Sequence, residues 1–173
     1  MTRSVDGVYS FVERAYVRMQ AGDLLIRCLE DASIEPIQQL VENLVLDGPA
    51  NINALREIQR EAGRRKEQVE EDLNHLCNGC ESTLKSYGVC LPVKLENLIG
   101  GEAPQVALLD MLRQQGVRDQ GTQEACLQIL KETRSIFESL SVRLALLAEI
   151  ERYLGDWVWG LACLSGRLEA RMH

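Results

Sequence analysis

Residues 122–172 have the sequence TQEACLQILKETRSIFESLSVRLALLAEIERYLGDWVWGLACLSGRLEARM, in which apolar residues recur with a heptad spacing. One seam position holds Cys126, Thr133, Leu140, Leu147, Leu154, Leu161 and Leu168, and the other holds Leu130, Phe137, Leu144, Val158 and Met172. A spacing of about 3.5 residues keeps one stripe of a helix against another helix along its whole length. The pattern therefore predicts a long helix over about 122–170 that packs along a second long helix.

That second helix is predicted over about 51–87. Its seam positions hold Leu55, Ala62, Val69, Leu76 and Thr83 on one side and Leu73, Cys80 and Tyr87 on the other. Gln59, Gly63 and Lys66 leave the apolar seam thin in its middle, so we expect this part to be exposed to solvent or bent. The shared spacing predicts that the two long helices form a coiled-coil-like antiparallel hairpin.

Shorter helices are predicted around this hairpin. The first begins near Ser4 or Asp6 and continues past Gly22, the second is capped by Ser33, and another follows over about 103–115. The segment 88–101 is expected to be the one long irregular loop, and Thr122 is expected to cap the last helix. The predicted fold is all-α, an elongated helical bundle of four to five helices in a single domain over 1–173.

The composition agrees with this fold class. The chain has 173 residues, of which 46% are hydrophobic but only 5% are aromatic, and it contains four prolines. This length supports one buried core. The low content of aromatic residues and proline favours helices over sheets.

The net charge of −7 argues against a protein that binds nucleic acid, because such affinity depends on clustered cations. The basic face of the second long helix keeps a nucleic-acid site open as an alternative; it consists of Arg56, Arg60, Arg64, Arg65 and Lys66. Glutamates surround that face, so we expect ion pairs within the helix instead.

The sequence predicts an intracellular, soluble and most simply cytoplasmic protein. It shows no secretory signal at its start and no apolar run long enough to span a bilayer. Its six cysteines are therefore expected to be reduced, with Cys28, Cys126 and Cys163 in the core as small apolar side chains.

A metal site is an alternative function. His75, Cys77 and Cys80 lie close in sequence and Cys90 follows, which gives four nitrogen and sulfur ligands of the kind that zinc prefers. On a continuous helix, however, His75 points away from both cysteines. The competing interpretations are a buried Cys80 with Cys77 beside it and an exposed His75, or a redox pair of Cys77 and Cys80.

No complete catalytic motif is present, and His75 is the only histidine before the last residue that offers a base for a nucleophile. The sequence therefore predicts a protein that is not an enzyme and needs no cofactor.

Both tryptophans lie in one short segment of the last helix. Trp157 and Trp159 are two positions apart, which turns them about 200° from one another, so only one of them can face the seam. An outward indole is a typical anchor of a protein interface. We expect an adaptor, scaffold or regulatory subunit that binds another protein or a second copy of itself, with contacts from Tyr153, Trp157, Trp159, Leu161, Leu91, Leu98 and the loop 88–101.

Overall fold

The computed structural model describes residues 18–46 and 52–171. These residues form six helices, which we number in chain order. They are α1 (18–31), α2 (Glu35–Leu46), α3 (Ile52–Ser86), α4 (Leu95–Ile99), α5 (Pro104–Gln114) and α6 (Gln120–Arg171). The all-α prediction is confirmed. The two long helices are confirmed as well, and their ends lie within two residues of the predicted positions. None of the helices in the described part of the chain has an apolar stretch long enough to cross a membrane.

The chain divides into two compact units, and both long helices contribute to each of them. Unit 1 comprises residues 1–68 and 143–173, and unit 2 comprises residues 69–142. The divisions at 68/69 and 142/143 fall inside α3 and α6 rather than in linkers. The prediction of a single domain stays a prediction.

Unit 1 packs α1 and α2 with the first part of α3 and the last part of α6. The fully buried residues supply its core: Leu25, Cys28, Ile37, Val41, Leu55, Ala62, Leu147, Ile150 and Leu154. α1 continues through Gly22 to residue 31, as predicted. The predicted start near Ser4 or Asp6 lies outside the described residues.

Local sequence explains how α2 begins. The Ser33 hydroxyl accepts a hydrogen bond from the Glu35 N–H at 3.1 Å, and Pro36 follows within the first turn, where its missing N–H is not needed. The predicted capping role of Ser33 is therefore confirmed.

α3 and α6 run antiparallel within unit 1. A Cβ placed on Gly63 would lie 3.4 Å from Glu151 Oε1, and a Cβ placed on Gly155 would lie 3.1 Å from Gln59 Nε2. Position 59 therefore faces 155 and position 63 faces 151, so residue numbers rise along one helix as they fall along the other. The predicted hairpin packing is confirmed here.

Unit 2 has its own apolar core. α4, α5 and the α3–α4 connection pack against the last part of α3 and the first part of α6. The core consists of Cys77, Cys80, Leu84, Val89, Leu95, Leu98, Ile99, Leu108, Leu112, Cys126 and Leu130. Four of these residues come from the predicted loop 88–101, so this segment contributes to the core although most of its other residues are exposed.

Glycine ends α3 and α5 in the same way. Gly88 and Gly116 both have φ of +80°, which side chains rarely adopt. The next residue, Val89 or Val117, donates its N–H to a carbonyl five residues earlier, at 3.1 Å to Leu84 and 2.9 Å to Leu112. This Schellman arrangement reverses the chain direction at the end of each helix, and it places Val89 in the core.

The start of α6 differs from the prediction. α6 begins at Gln120, and Asp119 is its cap: the Asp119 carboxylate accepts hydrogen bonds from the Thr122 N–H and hydroxyl, both at 2.8 Å. The predicted cap Thr122 is wrong because its side chain donates to Asp119 rather than capping the helix itself.

The heptad seam of α3 is wrong at its C-terminal end. Thr83 is exposed and Tyr87 is 43% exposed, whereas Leu84 is fully buried. A straight α-helix has 3.6 residues per turn and drifts about 20° per heptad from a 3.5-residue repeat. After four heptads the buried face has moved by one residue.

Candidate functional site

The aromatic segment of α6 belongs to unit 1 and places its two indoles differently. Trp157 is half-buried and meets the half-buried ring of Tyr153 edge-on, with ring centroids 6.5 Å apart and an interplanar angle of 66°. Trp159 is 72% exposed, the largest exposure among the bulky apolar side chains of the described residues. The prediction that only one indole faces inward is consistent with this arrangement.

Trp159 shares its helix face with further exposed groups. At spacings of three and four residues, this face carries Asp156, Trp159, Gly160, Cys163, Leu164 and Arg167, which we call the tryptophan face. Leu164 is 56% exposed, and Cys163 is exposed. An open groove of about 350 Å³ runs along this part of α6, lined by both indoles, Leu161, Leu164 and Arg167 among others.

The tryptophan face carries opposite charges at its two ends. Asp156 and Arg167 are both exposed, and neither forms an ion pair in the part of the chain that the structure describes. Gly160 lies between them, and a Cβ placed there would have no neighbouring atom within 4 Å. The face is therefore apolar at its centre, acidic at its start and basic at its end.

Three other predicted contact residues are placed less favourably. Leu161 and Leu98 are only 8% and 5% exposed and belong to the interiors of units 1 and 2, respectively. Leu91 is half-buried against the core of unit 2. We therefore leave Leu98 and Leu91 out of the proposed contact surface, and Leu161 contributes only to the floor of the groove.

The four predicted metal ligands lie in unit 2. Cys77 and Cys80 are buried, whereas His75 and Cys90 are exposed. Over residues 18–46 and 52–171, no three His, Cys, Asp or Glu side chains are grouped so that they could hold a metal ion. The arrangement matches the competing interpretation, in which Cys80 fills the core and His75 faces solvent.

Burial also decides the chemistry of the core thiols. It raises the pKa of Cys77, Cys80 and Cys126. The Thr133 hydroxyl donates its hydrogen to the Ile129 carbonyl of its own helix at 2.8 Å. These thiols are therefore protonated at neutral pH and act as apolar packing groups.

The remaining cysteines divide in the same way. Cys28 is fully buried in unit 1, and burial raises the pKa of its thiol. Cys163 is exposed, so its predicted place in the core is wrong. It lies on the tryptophan face, one turn beyond Trp159, and no element in the described part of unit 1 buries it.

A polar contact occupies the thin part of the α3 seam. Lys66 Nζ and Glu151 Oε2 are 2.5 Å apart, and both side chains are about one-third exposed. The thin apolar seam predicts exposure or a bend here, whereas the structure has an ion pair between the two helices. The signal was available, because positions 66 and 151 both continue a heptad seam and carry opposite charges.

Glutamates neutralise most of the basic face of α3. Glu57 pairs with Arg60 at 2.5 Å and with Arg18 at 3.4 Å. Glu61 pairs with Arg64, and also with Arg65 at 3.2 Å. The predicted ion pairs within the helix are confirmed.

No protein-family model, curated protein or solved structure matches this chain. The candidate site is therefore defined by its own geometry, as an exposed helix face that carries the indole of Trp159.

Proposed function

We propose that this chain is a non-catalytic protein–protein interaction module, an adaptor, scaffold or regulatory subunit, and that the tryptophan face of α6 is its contact surface. The observation that carries this proposal is the 72% exposure of Trp159 beside the groove. Leaving an indole in water forgoes the burial of a large apolar area, which association with another protein would recover.

The setting of Trp159 supports a binding role. The indole lies on a regular helix whose opposite side is anchored by the fully buried Leu154. The backbone beneath Trp159 is therefore already ordered, and binding would not have to order it. Interface hot spots are enriched in tryptophan because its side chain is large and rigid.

The charges support a protein partner rather than nucleic acid. Arg60, Arg64 and Arg65 are paired with glutamates in their own helix, and the chain has a net charge of −7. An intracellular location remains part of the proposal. It is supported by the six cysteines, all of which are free thiols.

Site-specific photo-cross-linking in the cells that naturally produce the protein tests the proposal. A benzophenone amino acid replaces Trp159 in one variant and Val142, which is 60% exposed in unit 2, in a matched control. We expect the variant at 159 to give a covalent adduct with one protein, identified by mass spectrometry, and the variant at 142 to give none. Equal labelling at both positions, or none at 159, would contradict the proposal.

The alternative of a metal-binding bundle is tested by the zinc content of the purified protein. Fewer than about 0.1 zinc ions per chain after purification without chelator would remove Cys77, Cys80, Cys90 and His75 from consideration as a zinc site, because structural zinc sites bind tightly.

A further inference from the structure

From the arrangement of charges on the tryptophan face, we infer that its partner is a second copy of this chain, bound antiparallel through the same face. This inference rests on the proposed function and names its partner.

The charges on the tryptophan face favour an antiparallel arrangement of the two helices. Asp156 lies as far before the midpoint between Leu161 and Ala162 as Arg167 lies after it. If a two-fold axis passes beside that midpoint, Asp156 of each copy lies opposite Arg167 of the other. Two equivalent ion pairs then form, between groups that have no ion-pair partner among the described residues. A parallel arrangement would instead place Asp156 beside Asp156 and Arg167 beside Arg167.

The centre of the face permits close approach. In the same register Gly160 of one copy lies opposite Cys163 of the other, so the smallest side chains meet near the axis. No atom lies within 4 Å of a Cβ built on Gly160, which leaves room for the second helix.

The apolar groups lie on the two flanks of this contact. Trp159 and Leu164 are about 140° apart around the helix, so they border the Gly160–Cys163 strip on opposite sides. The two-fold axis brings the two Trp159 side chains together on one flank and the two Leu164 side chains together on the other. The groups that are 72% and 56% exposed in one copy are the ones that the second copy would cover.

The first test is a charge exchange, followed by sedimentation equilibrium of the full chain up to millimolar concentration. We expect the unmodified protein to form a dimer, and Asp156→Arg to weaken dimerisation by at least about tenfold, since each of two attractive contacts becomes repulsive. Arg167→Asp should weaken it similarly. The double variant with Asp156→Arg and Arg167→Asp should restore the dimerisation constant to within about threefold, because coupled sites are not additive.

The charge exchange carries its own control for folding. Both positions are exposed, and recovery in the double variant would show that the single variants lose association rather than structure. A monomer at every concentration, or a dimer that is equally stable in all four proteins, would overturn the inference.

Cross-linking tests the register. Cys163 of both copies lies close to the two-fold axis, so a short bismaleimide should join two chains through Cys163. The product should disappear with Cys163→Ser and persist with Cys90→Ser, a matched control because Cys90 is the other exposed cysteine. A cross-linked dimer that depends on Cys90 and not on Cys163 would also overturn the inference.

The outcomes separate this inference from the proposed function. A monomer whose position 159 cross-links to a different protein in cells would refute the second copy and leave the interaction module standing. A monomer without any adduct at position 159 would refute both.

Discussion

Lys66 and Glu151 form an ion pair between α3 and α6 at a point where the apolar seam of the hairpin is interrupted. Gly63 lies beside the glutamate, and Gln59 approaches Gly155 one turn away. The two helices of unit 1 thus meet through a short polar section. A polar contact of this kind favours one register of two paired helices, because shifting either helix would separate the two charges.

Removing one member of this pair should destabilise unit 1. We expect Lys66→Met or Glu151→Leu alone to lower the free energy of unfolding by about 1–2 kcal/mol, since the remaining partly buried charge loses this ion pair. The double variant should recover most of that loss. Urea unfolding of the four proteins measures the coupling; strictly additive losses would show that the pair contributes nothing.

Leu147 and Leu144 should differ in their contribution to stability. Leu147 is fully buried and Leu144 is half-buried, although both occupy the heptad seam. We expect Leu147→Ala to lower the free energy of unfolding by about 2–5 kcal/mol and Leu144→Ala to lower it clearly less. Val142→Ala, at a 60% exposed position, is the control and should stay within about 0.5 kcal/mol of the parent in urea unfolding. Equal costs at 144 and 147 would mean that the assigned inner face of α6 is wrong.

The cap of α6 should make stability depend on pH. Hydrogen bonds from the Thr122 hydroxyl and N–H lower the pKa of Asp119 below its ordinary value. A carboxylate with a lowered folded pKa contributes its stabilisation above the unfolded pKa and loses it as the pH falls through the folded pKa. We therefore expect the melting temperature of the parent to fall on acidification through the range in which aspartate titrates.

Variants at Asp119 separate this contribution from other carboxylates. Asp119→Asn keeps a side-chain oxygen for the cap and should lose only the part of the acid dependence that comes from Asp119. Asp119→Ala should have a lower melting temperature than Asp119→Asn at neutral pH. If the parent and Asp119→Ala have the same melting temperature at neutral pH, the cap does not contribute to stability.

Thiol reactivity should divide the cysteines into two groups. Cys90 and Cys163 are exposed, whereas Cys28, Cys77, Cys80 and Cys126 are buried and have raised thiol pKa values. We expect Ellman's reagent to titrate two thiols rapidly in the native monomer and all six in urea. Cys163→Ser should leave one fast thiol. More than two fast thiols in the parent would contradict the burial of the core cysteines.

Gly79 offers a stabilising substitution. It lies inside α3, and a Cβ added there would meet no atom within 4 Å. We expect Gly79→Ala to raise the free energy of unfolding by about 0.5–1 kcal/mol, because alanine loses less backbone entropy in a helix. Gly155→Ala is the comparison and should gain less, since its Cβ would lie 3.1 Å from Gln59 Nε2. Thermal unfolding monitored by circular dichroism ranks the stability of the parent, Gly79→Ala and Gly155→Ala.

The sequence predicted the long helices well because their apolar spacing is regular over many turns. It predicted the buried face less well at the end of α3, where the heptad pattern selects Thr83 and Tyr87 but the helix buries Leu84. Periodicity determines which residues share a face, and the small difference between 3.5 and 3.6 residues per turn accumulates over a helix of 35 residues.

The candidate site was predicted only in part. Two tryptophans two positions apart on one helix required different environments, but the sequence did not show that Trp159 rather than Trp157 is exposed. That choice depends on which side of α6 meets α3, as shown by Gly155 opposite Gln59. Cys163 lies among apolar residues, which predicts a place in the core, but neighbours in sequence do not determine which side of a helix is covered.

Gln115 holds Cys90 by both of its backbone groups: the side-chain amide accepts from the Cys90 N–H at 3.0 Å and donates to the Cys90 carbonyl at 2.6 Å. The exposed thiol is therefore attached to a backbone fixed at two points. A fluorophore on Cys90, in a protein that carries Cys163→Ser, should report the rotational diffusion of unit 2 with little independent loop motion, which makes Cys90 a suitable position for measuring anisotropy decay.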